Sequence, residues 1–187
     1  AGEKIRITLD NFCGTEDVRI EAVTIACSAG EGSSIDPDTI TKLTFAGNPY
    51  VEIKAGCTAV SDEVDFVSAQ NKKISISIYI KEATQMRSSV IATGPLSKGY
   101  YSVGDKSEMA DLPQDDTRNT NCFYFLSDVE IYTDTKNTAV ICYGDSITAQ
   151  SWPDYLALMF LANPDNNKAV VRKATSGSRI LRQYSCI

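Results

Sequence analysis

The sequence of 187 residues contains no histidine. That removes the side chain that most often serves as general base near neutral pH, and the commonest metal ligand. It also lacks a Cys-x-x-Cys pair, so a zinc site has neither half of its usual ligand set, and no metal or other cofactor is expected. Positive charge is scarce: 18 Lys and Arg stand against 24 Asp and Glu, a net charge of −6. A basic stripe able to meet phosphates is therefore missing, which excludes nucleic acid as a partner. No apolar run approaches the roughly 20 residues of a membrane-spanning helix, and no signal peptide is visible. The chain enters a strand almost at once, at Lys4-Ile5-Arg6-Ile7-Thr8-Leu9, as though cut from a longer precursor. A missing leader thus does not argue for the cytoplasm. The six cysteines (Cys13, Cys27, Cys57, Cys122, Cys142 and Cys186) are scattered. Such spacing favours reduced thiols in a reducing compartment, while the even count leaves disulfides and a secreted protein open.

What is present is ample apolar material, 43% of residues, in short runs separated by turn signals. Ile5-Arg6-Ile7-Thr8-Leu9 alternates, and Asp10-Asn11-Phe12-Cys13-Gly14 turns the chain. Val18-Arg19-Ile20-Glu21-Ala22 alternates and then slips phase into Val23-Thr24-Ile25-Ala26, as a β-bulge would produce. Strand patterns follow at Ile40–Phe45, Tyr50–Ile53 and Val64–Phe66. In Ile74-Ser75-Ile76-Ser77-Ile78-Tyr79-Ile80-Lys81 four isoleucines share one face. Val90-Ile91-Ala92 is a weaker strand. From Gly94 to Asn121 the composition is polar and glycine-rich and reads as a long excursion, partly loop. Cys122–Leu126 and Val129–Tyr132 restore strand. Many short strands with frequent turns predict an antiparallel β-sandwich or jelly roll over 1–136. The polar stretch Thr133–Thr138 marks the boundary to a second part, 137–187.

That second part opens on a different pattern. Ala139-Val140-Ile141-Cys142-Tyr143 is apolar without alternation, which predicts a parallel strand buried on both faces. Gly144-Asp145-Ser146-Ile147-Thr148 follows directly, and Ser151-Trp152-Pro153-Asp154 opens an amphipathic helix. Gly144 would permit the turn and Asp145 would brace it by accepting from backbone amides. Ser151 is placed to cap the helix, with Asp154 in capping-box register. Tyr155, Leu156, Met159 and Phe160 recur at helical spacing as a core face. Lys168-Ala169-Val170-Val171 then reads as the next parallel strand. Strand, tight turn with a serine and helix together lift a hydroxyl above the C-terminal edge of a sheet, where open α/β sheets place their chemistry. A serine in an ordinary strand-to-helix turn is the competing explanation. The full run Gly-Asp-Ser-Ile-Thr after a buried strand favours function.

Gly144-Asp145-Ser146-Ile147-Thr148 resembles the first motif block of the SGNH (GDSL-type) esterases and lipases, and Ala174-Thr175-Ser176-Gly177 resembles the second. The resemblance implies Ser146 as nucleophile and oxyanion-hole amide, Gly177 as a further oxyanion amide, and Gly144 and Asp145 as turn support. The run Arg6–Gly14 with Ala22–Ala26 is similar to the β-sandwich that precedes the catalytic domain in some of these hydrolases. The implied fold is mainly β: a sandwich followed by the first βαβ unit of a flavodoxin-like α/β domain. The third block (Gly-x-Asn-Asp) and the last (Asp-x-x-His) are absent. The expectation is thus the front of a serine ester hydrolase acting on carboxylic esters, acetylated carbohydrate among them, and inactive alone. The exposed βαβ unit would be covered by the remainder of its domain or by a second copy. Arg179 and Arg182 could meet an anionic substrate, although solvated surface is the commoner role. The alternative is a non-catalytic carbohydrate- or ligand-binding module with Tyr79, Tyr100, Tyr101 or Tyr124 as stacking platforms. A pseudoenzyme whose remnant site mediates assembly is a third class.

Overall fold

The structure is a computed structural model that describes residues 2–68, 72–82, 89–91, 94–133, 136–163, 167–179 and 181. The described chain is mainly β. In order it forms β1 (Gly2–Asp10), β2 (Val18–Ile20), β3 (Ala22–Cys27), β4 (Thr41–Lys42), β5 (Val51–Ile53), β6 (Thr58–Val60), β7 (Val64–Ser68) and β8 (Ile74–Tyr79). There follow β9 (Ser89–Ile91), β10 (Gly99–Tyr101), β11 (Arg118–Thr120), β12 (Cys122–Tyr124), β13 (Leu126–Tyr132), β14 (Thr138–Gly144), α1 (Trp152–Leu161) and β15 (Lys168–Ala174). Two compact units are distinct. One comprises residues 1–90 and 99–133, the other residues 91–98 and 134–187. The second unit thus takes in 91–98, a stretch that the sequence pattern assigns to the sandwich.

In the first unit β1 is central. It pairs antiparallel with β13, from Lys4↔Tyr132 to Leu9↔Leu126, and also with β6 and β7. The alternation read in the sequence fixes its faces: Ile5, Ile7 and Leu9 are buried and Arg6 is exposed, paired with Glu130. Β-strand β3 lies between β4 and β8, and β2 pairs with β5. One apolar core joins them, built from Ile5, Ile7, Leu9, Val18, Ile20, Val23, Ile25, Leu43, Phe45, Ile53, Phe66 and Phe125. Ile74, Ile76, Ile78 and Ile80 pack on it as a row, as their spacing predicts. Each such side chain contributes about 1.5–3 kcal/mol on burial, so this core is what holds the unit. Phe125 reaches it from a backbone at φ 62°. That conformation costs an ordinary residue roughly 1–2 kcal/mol, which burial of the ring offsets.

Several expectations change here. The phase slip after Ala22 reflects a break between two strands at Glu21: the chain leaves β5 and joins β4 and β8, while Glu21 N–H donates to Tyr79 O at 2.9 Å. The real bulge lies opposite Thr8 and Leu9, where β13 carries Ser127 as an extra residue. The pattern at Ile40–Phe45 shortens to β4, with Phe45 bridging Asn48 across a tight turn. The polar excursion contains the antiparallel pair β10–β11. Cys13 is disulfide-bonded, against the expectation of reduced thiols, while Cys27, Cys57, Cys122 and Cys142 are free.

The second unit has β14 and β15 as a parallel pair, in register from Thr138↔Lys168 to Gly144↔Ala174. Parallel pairing agrees with the unalternated run. Burial on both faces does not occur. Cys142 is buried, but Ile141 is 63% and Tyr143 80% exposed. Successive residues of a strand face opposite ways, and only the face carrying Cys142 is covered. Helix α1 packs against β15. Its expected core face is only half realised: Leu156 and Phe160 are half-buried, whereas Tyr155 and Met159 are exposed. The helix is apolar nearly all round, so whichever stripe meets the sheet leaves another bare. No helix among the described residues is long and apolar enough to cross a membrane.

Candidate functional site

β14 ends at Gly144, and the chain turns through 145–150 before α1. The turn is held from inside. Asp145 Oδ1 accepts from Ile147 N–H at 2.9 Å, and Asp145 O accepts from Ala149 N–H at 2.9 Å. A carboxylate that accepts from an amide two residues on is the Asx-turn habit of aspartate. Ser146 sits at the crest of this turn, exposed, and no side chain among the described residues hydrogen-bonds its hydroxyl. Gly144 is needed for space. Its φ lies outside the left-handed region, but a Cβ there would stand 2.3 Å from Thr148 Oγ1 and 2.9 Å from Thr148 Cβ.

The second motif follows β15 and forms a turn of its own. Ser178 N–H donates to Thr175 O at 3.1 Å, and Gly177 occupies the third position with φ 80°. A third turn position at positive φ is where glycine is demanded. Gly177 is exposed. The two turns are joined at one atom: Gly144 O accepts from Thr175 N–H at 3.1 Å and from Ser178 Oγ at 3.3 Å. The pairing of Gly144 with Ala174 puts both turns at the C-terminal ends of adjacent parallel strands. Ser146, Gly177, Gly144 and Asp145 therefore belong to one surface region.

The helix start differs from expectation. Ser151 makes no side-chain cap, and its backbone is already helical; its carbonyl accepts from Asp154 and Tyr155 N–H. Asp154 is buried and turned to another task. Its Oδ1 pairs with Arg172 of β15, and its Oδ2 accepts from Leu96 N–H at 3.1 Å. Arg172 Nη1 in turn donates to Ala149 O at 3.3 Å, at the end of the serine turn. Gly94 lies against this pair so closely that a Cβ would stand 1.9 Å from Asp154 Oδ2. Motif reading finds Asp154 only as a helix cap and does not find Arg172, Leu96 or Gly94. The signal available was a lone arginine following Val170-Val171 in a strand otherwise read as apolar.

Arg179 is exposed, and Arg182 lies outside the described residues, as does Cys186. Of the tyrosines, Tyr79 and Tyr100 are half-buried in strands. Tyr101 and Tyr124 are exposed; partial desolvation of the phenol pushes the Tyr124 pKa up, with Cys122 and Tyr101 adding to the effect. A cleft of about 370 Å³ in the first unit is lined by Glu16, Asp17, Arg19, Glu21, Glu52 and Lys81 among others. Neither Ser146 nor Gly177 contributes to it. Of its charged lining, Arg19 pairs with Glu21, while Asp17 and Glu52 pair with Lys54 outside the lining. Among the described residues no group of three or more His, Cys, Asp or Glu is arranged to hold a metal ion.

No protein-family model matches the chain, and a search of curated proteins finds no match.

Proposed function

We propose that Ser146 is the nucleophile of a serine hydrolase of carboxylic esters, with the amides of Ser146 and Gly177 as oxyanion donors. In this reading the first unit is an antiparallel β-sandwich. The second is the opening βαβ unit of a flavodoxin-like sheet. The observation that carries the proposal is the junction at Gly144 O, which joins the serine turn to the Gly177 turn at the C-terminal edge of a parallel pair. Substrates of open α/β sheets bind at that edge.

The chemistry would run as follows. Ser146 Oγ forms a bond to the ester carbonyl carbon as its proton passes to a base, and the carbonyl electron pair moves to oxygen. Amide donors hold that oxyanion; losing one such donor typically costs about 3 kcal/mol of transition-state stabilisation. The carbon–oxygen bond to the alcohol then breaks, the alcohol leaves with the proton, and water releases the acid from the acyl-serine. With no histidine among the 187 residues, the base is supplied by another polypeptide segment. A serine hydroxyl without a base is a weak nucleophile, so the 187-residue chain alone is inactive.

The test is fluorophosphonate labelling of the longest native gene product, together with hydrolysis of p-nitrophenyl acetate. Labelling and hydrolysis that Ser146→Ala abolishes would support the reading. An unlabelled wild-type product that hydrolyses nothing would sink it. Retention of the chain by immobilised glycan in native gels, lost on Tyr101→Ala or Tyr124→Ala, would then favour the binding-module reading, since those two rings are exposed in the first unit.

A further inference from the structure

We propose that Arg172 is the positioning residue of the Ser146 turn, held in place by Asp154 and by the backbone at Leu96. The proposal rests on the hydrolase reading for its purpose, but its geometry stands apart from it. Arg172 lies on β15 with its side chain only 18% exposed, and that of Asp154 is 11% exposed. One guanidinium nitrogen, Nη2, pairs with Asp154 Oδ1, while Nη1 donates to Ala149 O at 3.3 Å. The planar fork of an arginine can serve two acceptors at a fixed angle; a lysine ammonium, a point charge on a flexible stem, cannot hold the same geometry. Ala149 is also the residue whose N–H closes the serine turn on Asp145 O. Its peptide neighbourhood is thus fixed from both sides, by Asp145 within the turn and by Arg172 beneath it.

Asp154 anchors the fork. It stands in the first turn of α1, where a carboxylate is favoured by the helix dipole, and its second oxygen takes the Leu96 amide. Gly94 provides the close approach. Segment 94–96 is far away in sequence yet lies against Asp154, in keeping with its membership of the second unit. Arg172 Nε is buried without a hydrogen-bond partner. An unsatisfied buried N–H is unfavourable, so the guanidinium is held in place by the contacts of its other two nitrogens. The chain of contacts runs from Leu96 to Asp154, to Arg172, to Ala149, to the turn bearing Ser146. None of these residues touches the reacting atoms, so their effect on Ser146 is one of orientation.

Hydrogen exchange on the full 187-residue chain tests this, comparing wild type with Arg172→Met, Arg172→Lys and, as a control, Val140→Ala. Val140 is half-buried in β14 and pairs with Val170, away from Arg172, so its truncation lowers stability without freeing Ala149. The expected result is exchange of the Ile147 and Ala149 amides at least about tenfold faster in Arg172→Met, a factor equivalent to 1.4 kcal/mol of local opening. The β14 and β15 amides should change by less than about twofold. Arg172→Lys should resemble Arg172→Met, and Val140→Ala should accelerate turn and strands together. Should Arg172→Met fail to fold, Asp154→Asn replaces it, with the same selective loss expected. A uniform rise in every variant, or rescue by lysine, overturns the proposal. Fluorophosphonate labelling of the longest native product is read separately. Slower labelling in both Arg172 variants would connect the turn to reactivity, whereas an unlabelled wild type would remove the hydrolase reading and leave the exchange result to decide the positioning role.

Discussion

Replacing Gly144 by alanine gives the sharpest test of the serine turn. The added Cβ would lie 2.3 Å from Thr148 Oγ1, 2.9 Å from Thr148 Cβ and 3.5 Å from Thr148 Cγ2. Carbon atoms in favourable contact sit roughly 3.5–4.0 Å apart, so the overlap is about 1 Å. Rotating Thr148 moves Oγ1 and Cγ2 but leaves its Cβ where it is, and the backbone has to give. It is not free to do so, because Gly144 O already accepts from Thr175 N–H and Ser178 Oγ. Overpacking generally costs 1–3 kcal/mol, and the double tether places this case at about 2–3. The assay is urea unfolding followed by fluorescence of Trp152, the only tryptophan, which lies on α1 in the second unit. With an m value near 1 kcal/mol/M, the midpoint should fall by about 2–3 M. Thr148→Gly deletes every atom in the clash. The double variant should therefore be more stable than the sum of the singles predicts, by about 1–2 kcal/mol. A Gly144→Ala cost below about 0.5 kcal/mol, or strict additivity with Thr148→Gly, would refute the steric account of this glycine.

Three further predictions concern other parts of the chain. Asn11 is buried and donates through Nδ2 to Glu16 O at 2.9 Å and Ile53 O at 3.1 Å; Asn11→Ala should cost the first unit about 2–4 kcal/mol in urea unfolding read by far-UV circular dichroism. Asp62 is held below its ordinary value of 3.8, first by the Thr44 hydroxyl and then by the Gly47 and Ala46 amides. A depressed carboxylate stabilises the fold above its unfolded pKa, and this contribution fades as pH falls through the folded one. Asp62→Asn should therefore flatten the acid limb of the stability profile below the ordinary value while leaving its neutral slope unchanged. On β14, Ile141→Thr with Tyr143→Thr should raise the concentration at which light scattering detects aggregates. Their side chains are mostly exposed, so the Trp152 unfolding midpoint should hardly move; a loss above about 1 kcal/mol would mean that this face is packed.

The elements legible in the sequence were those whose signal is local. Ile5-Arg6-Ile7-Thr8-Leu9 announces β1 and its buried face without help from any other residue. The unalternated run before Gly144 announces a parallel strand in the same way. What such a run cannot encode is which face is covered, because that depends on material elsewhere. Ile141 and Tyr143 therefore belong to a strand correctly read and a burial wrongly expected. The pair β10–β11 escaped for the opposite reason: Arg118-Asn119-Thr120 is held by ladder hydrogen bonds and has no apolar face to leave a period. At Glu21 the period did register the event, but a slip of one residue is common to a bulge and to a change of partner strand. Only the pairings of β2 with β5 and β3 with β8 tell them apart.

Asp154 is the clearest case of a residue with two physically sound readings. Three positions after Ser151 it fits a capping box, whose gain is typically about 1 kcal/mol. The structure uses it instead as the acceptor for Arg172 and the Leu96 amide. Energetics decides in favour of that use. A guanidinium only 18% exposed and left without a carboxylate would be an uncompensated buried charge, at a cost of about 3–5 kcal/mol. A helix N-terminus without its side-chain cap can still be served by water or by its own first turn, as the Ser151 carbonyl contacts illustrate. The larger penalty sets the geometry. It does so through partners 18 and 58 residues away in the chain, a distance at which a local motif carries no information.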